Sequence, residues 1–230
     1  MTGSSILPVS IHNGKIYFLF GKETELEQSA KGFSDFGGGI EKGEGIYDTA
    51  MREGAEELTG FLGNSDEIRT YIKTHGGIYP INHKNEYYTH IFVMEYDENL
   101  PKYYNQNHHF LWEKMDKQEL RKTKLFEKIE IKWFSMQEMK TKIKEFRPFY
   151  QDIVKRILRE IPNIRKFITK TKTKTNKKEK SKKVHWKMPL LKRKTRKTRK
   201  INRILTPYYP INSNSNSKKM RIKTENKIQE

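Results

Sequence analysis

Residues 38–61 read GGIEKGEGIYDTAMREGAEELTGF, five glutamates and one arginine set between glycine-bearing turns. Gly37, Gly38, Gly39, Gly43 and Gly45 make a loop, and GIYDTAMREGAEEL has the composition of a helix. At about 100° per residue, that helix carries Glu53, Glu56 and Glu57 within an arc of roughly 100°, with their oxygens convergent. Three like charges on one face repel, so something positive belongs beside them. A solvated acidic face is the ordinary explanation of such a run. The other is a site for a hard divalent cation, which takes clustered oxygens and shares a substrate phosphate.

Spacing decides between them. Gly38 stands six residues before Glu44, Glu44 stands eight before Arg52, and Arg52-Glu53 is followed by Glu56-Glu57. This arrangement resembles the Nudix hydrolase box, in which these residue types recur at fixed offsets before a closing glycine. The resemblance implies a Nudix-type α/β/α sandwich with a mixed sheet and a loop–helix–loop that holds Mg2+ or Mn2+. It also implies hydrolysis of a nucleoside diphosphate linked to another group. By it, Glu53, Glu56 and Glu57 are metal ligands assisted by the Gly38 backbone, and Glu53 and Glu57 count as catalytic. Glu44 and Arg52 are then the ion pair that braces loop against helix. Two positions depart from the pattern. Gly54 replaces an apolar residue, at a cost of about 1 kcal/mol in a helix interior, tolerable if the helix packs closely on the sheet there. Leu58-Thr59 stands where one residue should precede Gly60, which is expected to end the helix in the left-handed conformation.

A second stretch narrows the resemblance. FEKIEIKWFSMQEM, residues 126–139, is similar to the end of the catalytic domain in mRNA-decapping Nudix enzymes of eukaryotes and large DNA viruses. The match implies that Glu127 joins the metal cluster, as ligand or as base. The plainer reading is a surface glutamate entering a strand, and Glu130 is a rival. The implied reaction is metal-assisted attack of water on a phosphoanhydride, with Glu53 or Glu127 taking the proton.

Around these motifs the chain alternates strands and helices. ILPVSI and KIYFLFG flank His12-Asn13-Gly14, a hairpin signal because Asn and Gly tolerate positive φ. YTHIFVMEY (88–96) reads as a strand. KIEIKWF (128–134) reads as a half-buried one, with Ile129, Ile131 and Trp133 opposite Lys128, Glu130 and Lys132. Ser135-Met136-Gln137-Glu138 has capping-box form. Pro148 is expected to restart a helix whose core face holds Phe149, Ile153 and Ile157, with Phe146 before it. Tyr103, Tyr104 and Trp112 are candidates for stacking on a purine or for plain packing, and His108-His109 reads as loop. This order of elements predicts a mixed sheet between helical layers.

Charge sets the organisation. Residues 1–168 hold 25 basic and 25 acidic side chains, whereas residues 169–230 hold 22 basic against 3 acidic, so the tail carries the whole +19. The reading is a domain at 1–168 and a basic tail at 169–230, disordered or partly helical, because such a composition buries too little apolar surface to offset its ordering entropy. VHWKMPLL and INRILTPYYP are islands that can dock on a partner or on the domain. Lys192, Arg193, Lys194, Arg196, Lys197, Arg199 and Lys200 are the densest candidate RNA contacts, giving sequence-independent phosphate attraction. The same run suits nuclear import.

Other chemistry is excluded or unsupported. Without cysteine there is no disulfide, thiolate zinc site or cysteine nucleophile, and no phosphate loop of the ATPase type occurs. The N-terminal MTGSSILPVS lacks the pattern of a secretory signal, and no apolar run is long enough to span a membrane. The expected location is intracellular, in the cytoplasm, and for a viral protein the host cytoplasm or virion. Three functions follow from these readings: hydrolysis of the 5′ cap of mRNA; hydrolysis of small polyanions such as diphosphoinositol or dinucleoside polyphosphates; and RNA binding by an inactive Nudix domain. The oligomeric state is not legible.

Overall fold

Asn13 and Gly14 turn the chain with φ of 48° and 74°, closing the hairpin expected between strands β1 (Gly3–His12) and β2 (Lys15–Glu23). The computed structural model describes residues 2–23, 31–123 and 125–179. After the hairpin come β3 (Phe33–Ser34), β4 (Phe36–Gly39), α1 (Ile46–Glu57), α2 (Ser65–Thr74), β5 (Ile78–His83) and β6 (Tyr87–Val93). Then follow α3 (Asn99–Lys114), α4 (Lys117–Thr123), β7 (Lys128–Ser135), α5 (Met136–Thr141), α6 (Tyr150–Arg159) and α7 (Ile161–Glu179).

The strands form one mixed sheet in the order β3-β2-β1-β6-β5, with β4 also on β1 and β7 also on β2. Among the strand pairs of the described residues only β1 and β6 run parallel. β1 divides its edge: Val9–His12 pair with β2, while Gly3–Ile6 pair with β4. The two hairpin strands diverge there, and the glycine strand fills the gap. Apolar residues cover both faces of the sheet, which is why β1 and β2 read as nearly continuous apolar runs. On one face Leu7, Val9, Phe18 and Phe20 pack under Met139, Ile153, Ile157, Ile164 and Ile168 of α5, α6 and α7. On the other, Ile6, Leu19, Ile131 and Trp133 meet Ala50, Met51, Ile68, Ile72 and Tyr104 of α1, α2 and α3. The sandwich of helices on a mixed sheet agrees with the expectation.

Several local expectations change. β7 is covered on both faces rather than half-buried, and Lys128, assigned to its solvent side, is wholly buried. The segment YYNQNHHF lies in α3 instead of a loop, where Tyr104 and His108 face inward. The strand expected to reach residue 96 ends at Val93. Pro148 does precede a helix, but Phe149 is its N-cap and half exposed, its ring against Tyr87, Tyr150 and the Arg147 guanidinium. Tyr150 takes the core position instead, in phase with Ile153, Val154 and Ile157. The Ser135–Glu138 capping box forms as expected.

Helix α7 continues through Thr169 to Glu179, with Ile164, Ile168 and Thr171 buried and the Lys172 ammonium donating to the Ile11 carbonyl at 3.3 Å. Lys192, Arg193, Lys194, Arg196, Lys197, Arg199 and Lys200, with both apolar islands, lie outside the described residues. Among the described residues no helix is long and apolar enough to cross a membrane.

Candidate active site

Two glycines of β4 each leave room for a neighbour, Gly37 for the backbone of β1 and Gly38 for the carboxylate of Glu53. A Cβ on Gly37 would lie 2.3 Å from the Ser5 Cβ and 2.4 Å from the Ser4 carbonyl oxygen, and one on Gly38 would lie 2.5 Å from the Glu53 carboxyl carbon. The bare backbone of Gly38 is thus the seat of the Glu53 carboxylate. Helix α1 reaches that seat by resting on β1 through Gly54, whose added Cβ would stand 2.2 Å from the Ile6 Cδ1. The odd residue of the box therefore has a packing reason, and the close approach offsets its poor helix propensity.

Arg52 supplies the positive charge that the acidic face demands. Its Nε and Nη2 grip the two oxygens of Glu44 at 2.9 and 3.0 Å, while Nη1 donates to Glu53 at 2.8 Å and lies 3.6 Å from Glu56. The Thr49 hydroxyl adds a bond to Glu44 at 2.7 Å. Hydrogen bonding by Arg52 holds the Glu44 carboxyl down at about 2, and Glu44 in turn leads in pushing the Arg52 guanidinium above its ordinary value. Loop and helix are thereby tied by a bidentate, charge-assisted pair.

Glu57 points the other way, into the protein. One carboxylate oxygen accepts from the Gly37 N–H at 2.7 Å, and the other lies 2.9 Å from the Lys128 ammonium. Lys128 is fully buried and also donates to Glu23 and, at 3.3 Å, to the Ser34 hydroxyl. Arg147 closes the chain of charges on Glu23 at 2.9 Å. Gly21 makes room for the lysine stem, since a Cβ there would be 2.7 Å from the Lys128 Cγ. The Tyr104 hydroxyl donates between the carbonyls of Glu57 and Lys128, at 2.9 and 3.0 Å. Burial pushes the Glu57 carboxyl well above the usual glutamate range; Glu23 and Glu127 push the same way, against the pull of Lys128. For Lys128 burial works downward, but Glu57 and Glu23 outweigh it and hold the ammonium above the ordinary lysine value.

The residue inserted after Glu57 and Leu58 has a partner too. Thr59 adopts φ 52°, Gly60 follows at 72°, and the Thr59 hydroxyl accepts the Phe126 N–H at 3.0 Å. Phe126 itself has φ 56°, and the next residue is Glu127, whose charge is felt at Glu57. The exit of α1 and the approach to β7 are thus joined on both sides of Glu127. Glu130 pairs with Lys22 further along the β2–β7 ladder.

Glu53, Glu56, Glu57, Glu44, Arg52, Gly38 and Glu127 are therefore brought to one region, but the expected convergence of oxygens is not there. Among the described residues no three acidic or histidine side chains stand in metal-holding geometry, because the protein's own cations turn Glu53 and Glu56 toward Arg52 and Glu57 toward Lys128. The donor chemistry still suits Mg2+ or Mn2+, which prefer hard oxygen ligands, and the half-buried Gly38 backbone lies directly against the Glu53 carboxylate. An open cavity of about 440 Å3 adjoins α1 and the start of α2, lined by Arg52, Glu56, Gly60, Gly63, Asn64 and Glu67. Tyr104 belongs to the core, Trp112 stacks on His108, and Tyr103 is exposed.

Sequence reading missed Glu23, Lys128 and Arg147, which meet from three distant parts of the chain. One signal was available: Gly21 inside an apolar strand marks a close approach. Asp35 was also missed. It is buried beside β4, where the Ser5, Tyr87 and Thr89 hydroxyls donate to it, the last two at 2.8 and 2.9 Å.

A model of the NUDIX domain family matches residues 6–157. Solved structures similar to this chain include a Nudix hydrolase from M. smegmatis, RenU, with 12% identity and a TM-score of 0.39 over 71% of this chain and 86% of that one. Another is a binary complex of a C. elegans Ap4A hydrolase, with 12% identity and a TM-score of 0.40 over 70% and 98%. A third is a NUDIX hydrolase from Nitrosomonas europaea, with 18% identity and a TM-score of 0.32 over 67% and 87%. No curated protein sequence matches the chain.

Proposed function

The chain belongs to the NUDIX domain family, and from that premise we propose that it is a divalent-metal-dependent phosphoanhydride hydrolase acting on the 5′ cap of RNA. The observation that carries the reaction class is the Glu53 carboxylate seated on the bare Gly38 backbone, on a helix tied to the same loop by Arg52 and Glu44. Glu53, Glu56 and Glu57, with Glu127 and the Gly38 backbone, are the residues that would hold Mg2+ or Mn2+. When bound, such an ion neutralises phosphoanhydride oxygens and polarises the phosphorus under attack. Glu53 or Glu127 accepts the proton of the attacking water at a carboxylate oxygen. Arg52 and Glu44 keep α1 in register with the glycine strand, and the Gly37 N–H fixes one oxygen of Glu57.

Capped RNA is favoured over a small polyanion by the distribution of charge. Residues 1–168 are balanced, and the +19 that follows is suited to a long polyphosphate chain. The test replaces Lys192, Arg193, Lys194, Arg196, Lys197, Arg199 and Lys200 by Gln in the full-length chain. Cap-labelled RNA, a short cap analogue, a diphosphoinositol polyphosphate and a dinucleoside polyphosphate are then assayed with Mg2+ or Mn2+ at two salt concentrations. Expected are release of labelled nucleotide from RNA, a KM for RNA that rises with salt, and a flatter salt dependence in the variant with kcat preserved. An RNA rate unchanged by the substitutions at both salts, with faster turnover of a small polyanion, would transfer the assignment to that substrate.

A further inference from the structure

Lys128 is the one buried ammonium among the described residues whose role the family pattern leaves open. It has no exposed surface, and its stem occupies space that Gly21 leaves free. It contacts two carboxylates, Glu23 and Glu57, and the second is a glutamate of the metal-binding face. A buried charge is retained only where carboxylates and hydrogen bonds offset the loss of water. Here Glu23, Glu57 and the Ser34 hydroxyl do so, and Glu23 is itself shared with Arg147. Glu57 thus has one oxygen on an ammonium and the other on the Gly37 N–H.

We propose that Lys128 is a resident cation of the site, holding Glu57 in place and competing with divalent metal for its carboxylate. The inference rests on the metal-site reading above. Its consequence is a resting site that holds divalent ions more weakly than its glutamates alone would. Glu23 moderates the competition by drawing the ammonium away from Glu57, and Arg147 keeps Glu23 in position to do so.

Removing the ammonium and removing its second partner should therefore act in opposite directions. The experiment measures Mn2+ binding to the full-length protein at pH 8 by the electron paramagnetic resonance signal of free Mn2+. Glu56→Gln serves as the control for the metal site and should weaken binding at least about tenfold. Lys128→Met should tighten it about tenfold or more, since a unit charge a few Å away shifts cation binding by over a decade at protein dielectric. Glu23→Gln should weaken binding, because the whole ammonium then falls on Glu57. A merely structural lysine predicts weaker binding in both variants. Unchanged or weaker binding by a folded Lys128→Met overturns the proposal. Should that variant not fold, Lys128→Gln, which keeps a hydrogen-bond donor beside Glu57 without the charge, takes its place, and unchanged or weaker binding there overturns the proposal. If wild type binds no Mn2+, or Glu56→Gln binds as wild type does, the metal-site reading fails and takes the proposal with it. Normal behaviour of those two with an unaltered Lys128→Met sinks the Lys128 inference alone.

Discussion

Gly37 and Gly38 are adjacent glycines on one short strand, yet alanine at each should damage different things. The Cβ of Gly37→Ala would land 2.4 Å from the Ser4 carbonyl oxygen and 2.6 Å from the Ser5 Cα, both backbone atoms of a central strand. Neither can step aside, so β4 must leave its register on β1. Overpacking of this kind costs about 1–3 kcal/mol and here belongs at the upper end. For a domain of this size that is a fall of roughly 6–12 °C in Tm. The Cβ of Gly38→Ala meets only the end of the Glu53 side chain, at 2.5–2.8 Å. A carboxylate on a flexible stem can move, and alanine restricts the unfolded chain, a gain of about 0.4–1 kcal/mol where the backbone conformation is compatible. Stability of Gly38→Ala should thus stay within about 1 kcal/mol of wild type. Its activity should not survive: with Glu53 displaced, kcat should fall by about a hundredfold, the scale of a lost catalytic group. The assay pairs thermal unfolding with steady-state hydrolysis of a cap analogue for both variants. A stable, fully active Gly38→Ala would refute the seating of Glu53 on Gly38 as part of the chemistry, and a stable Gly37→Ala would refute the packing of β4 on β1.

Gly54→Ala gains helix propensity but drives a methyl into Ile6, so it should destabilise by about 1–2 kcal/mol; Ile6→Ala, which removes both the Cδ1 at 2.2 Å and the Cγ1 at 2.5 Å, should cost clearly less in the Gly54→Ala background than alone, and simple additivity in denaturant melts would show that the two do not touch. Glu44 has a folded pKa of about 2 against an ordinary 4.5, so its contribution is present above pH 4.5 and is lost as pH falls toward 2. Linkage sets an upper bound of about 3 kcal/mol, and solvent screening lowers it to about 1–2; Glu44→Gln should remove that acid-dependent part, and parallel pH profiles for the two proteins would count against the pair. Thr59→Val removes the acceptor of the Phe126 N–H and should lower kcat severalfold with a small loss of Tm. Combined with Glu127→Gln, which should lower kcat severely where Glu130→Gln should not, it should add nothing further. An additive double variant would mean that Thr59 does not act through Glu127.

The box was legible because its information is local. Glycines, the Arg52–Glu44 spacing and the acidic arc of one helix need only a loop followed by α1, and 3.6 residues per turn fixes which side chains share a face. The Asn13-Gly14 hairpin and the Ser135 capping box were legible for the same reason, each being settled within four residues. Charge counting located the basic excess without any geometry. What the sequence could not decide is where Glu57 turns once its face is formed. That depends on cations brought from β7 and from the turn before α6, at separations of 71 and 90 residues from Glu57, counting to Lys128 and Arg147. Lys128 looked like the solvent side of an amphipathic strand because strict period-two alternation groups it with Glu130 and Lys132, but a bulge in β7 between Lys128 and Glu130 breaks the alternation and turns Lys128 to the side of Gly21 and Glu57. Tertiary structure put Glu23, Glu57 and the Gly21 groove beneath it. Phe149 gave way to Tyr150 for a related reason: the helix phase was set by where α6 meets the sheet, one residue later than Pro148 alone suggested. Sequence chose the residues of the site. Long-range packing decided which of the protein's own charges Glu57 faces, because burial makes an unpaired carboxylate too costly to leave alone.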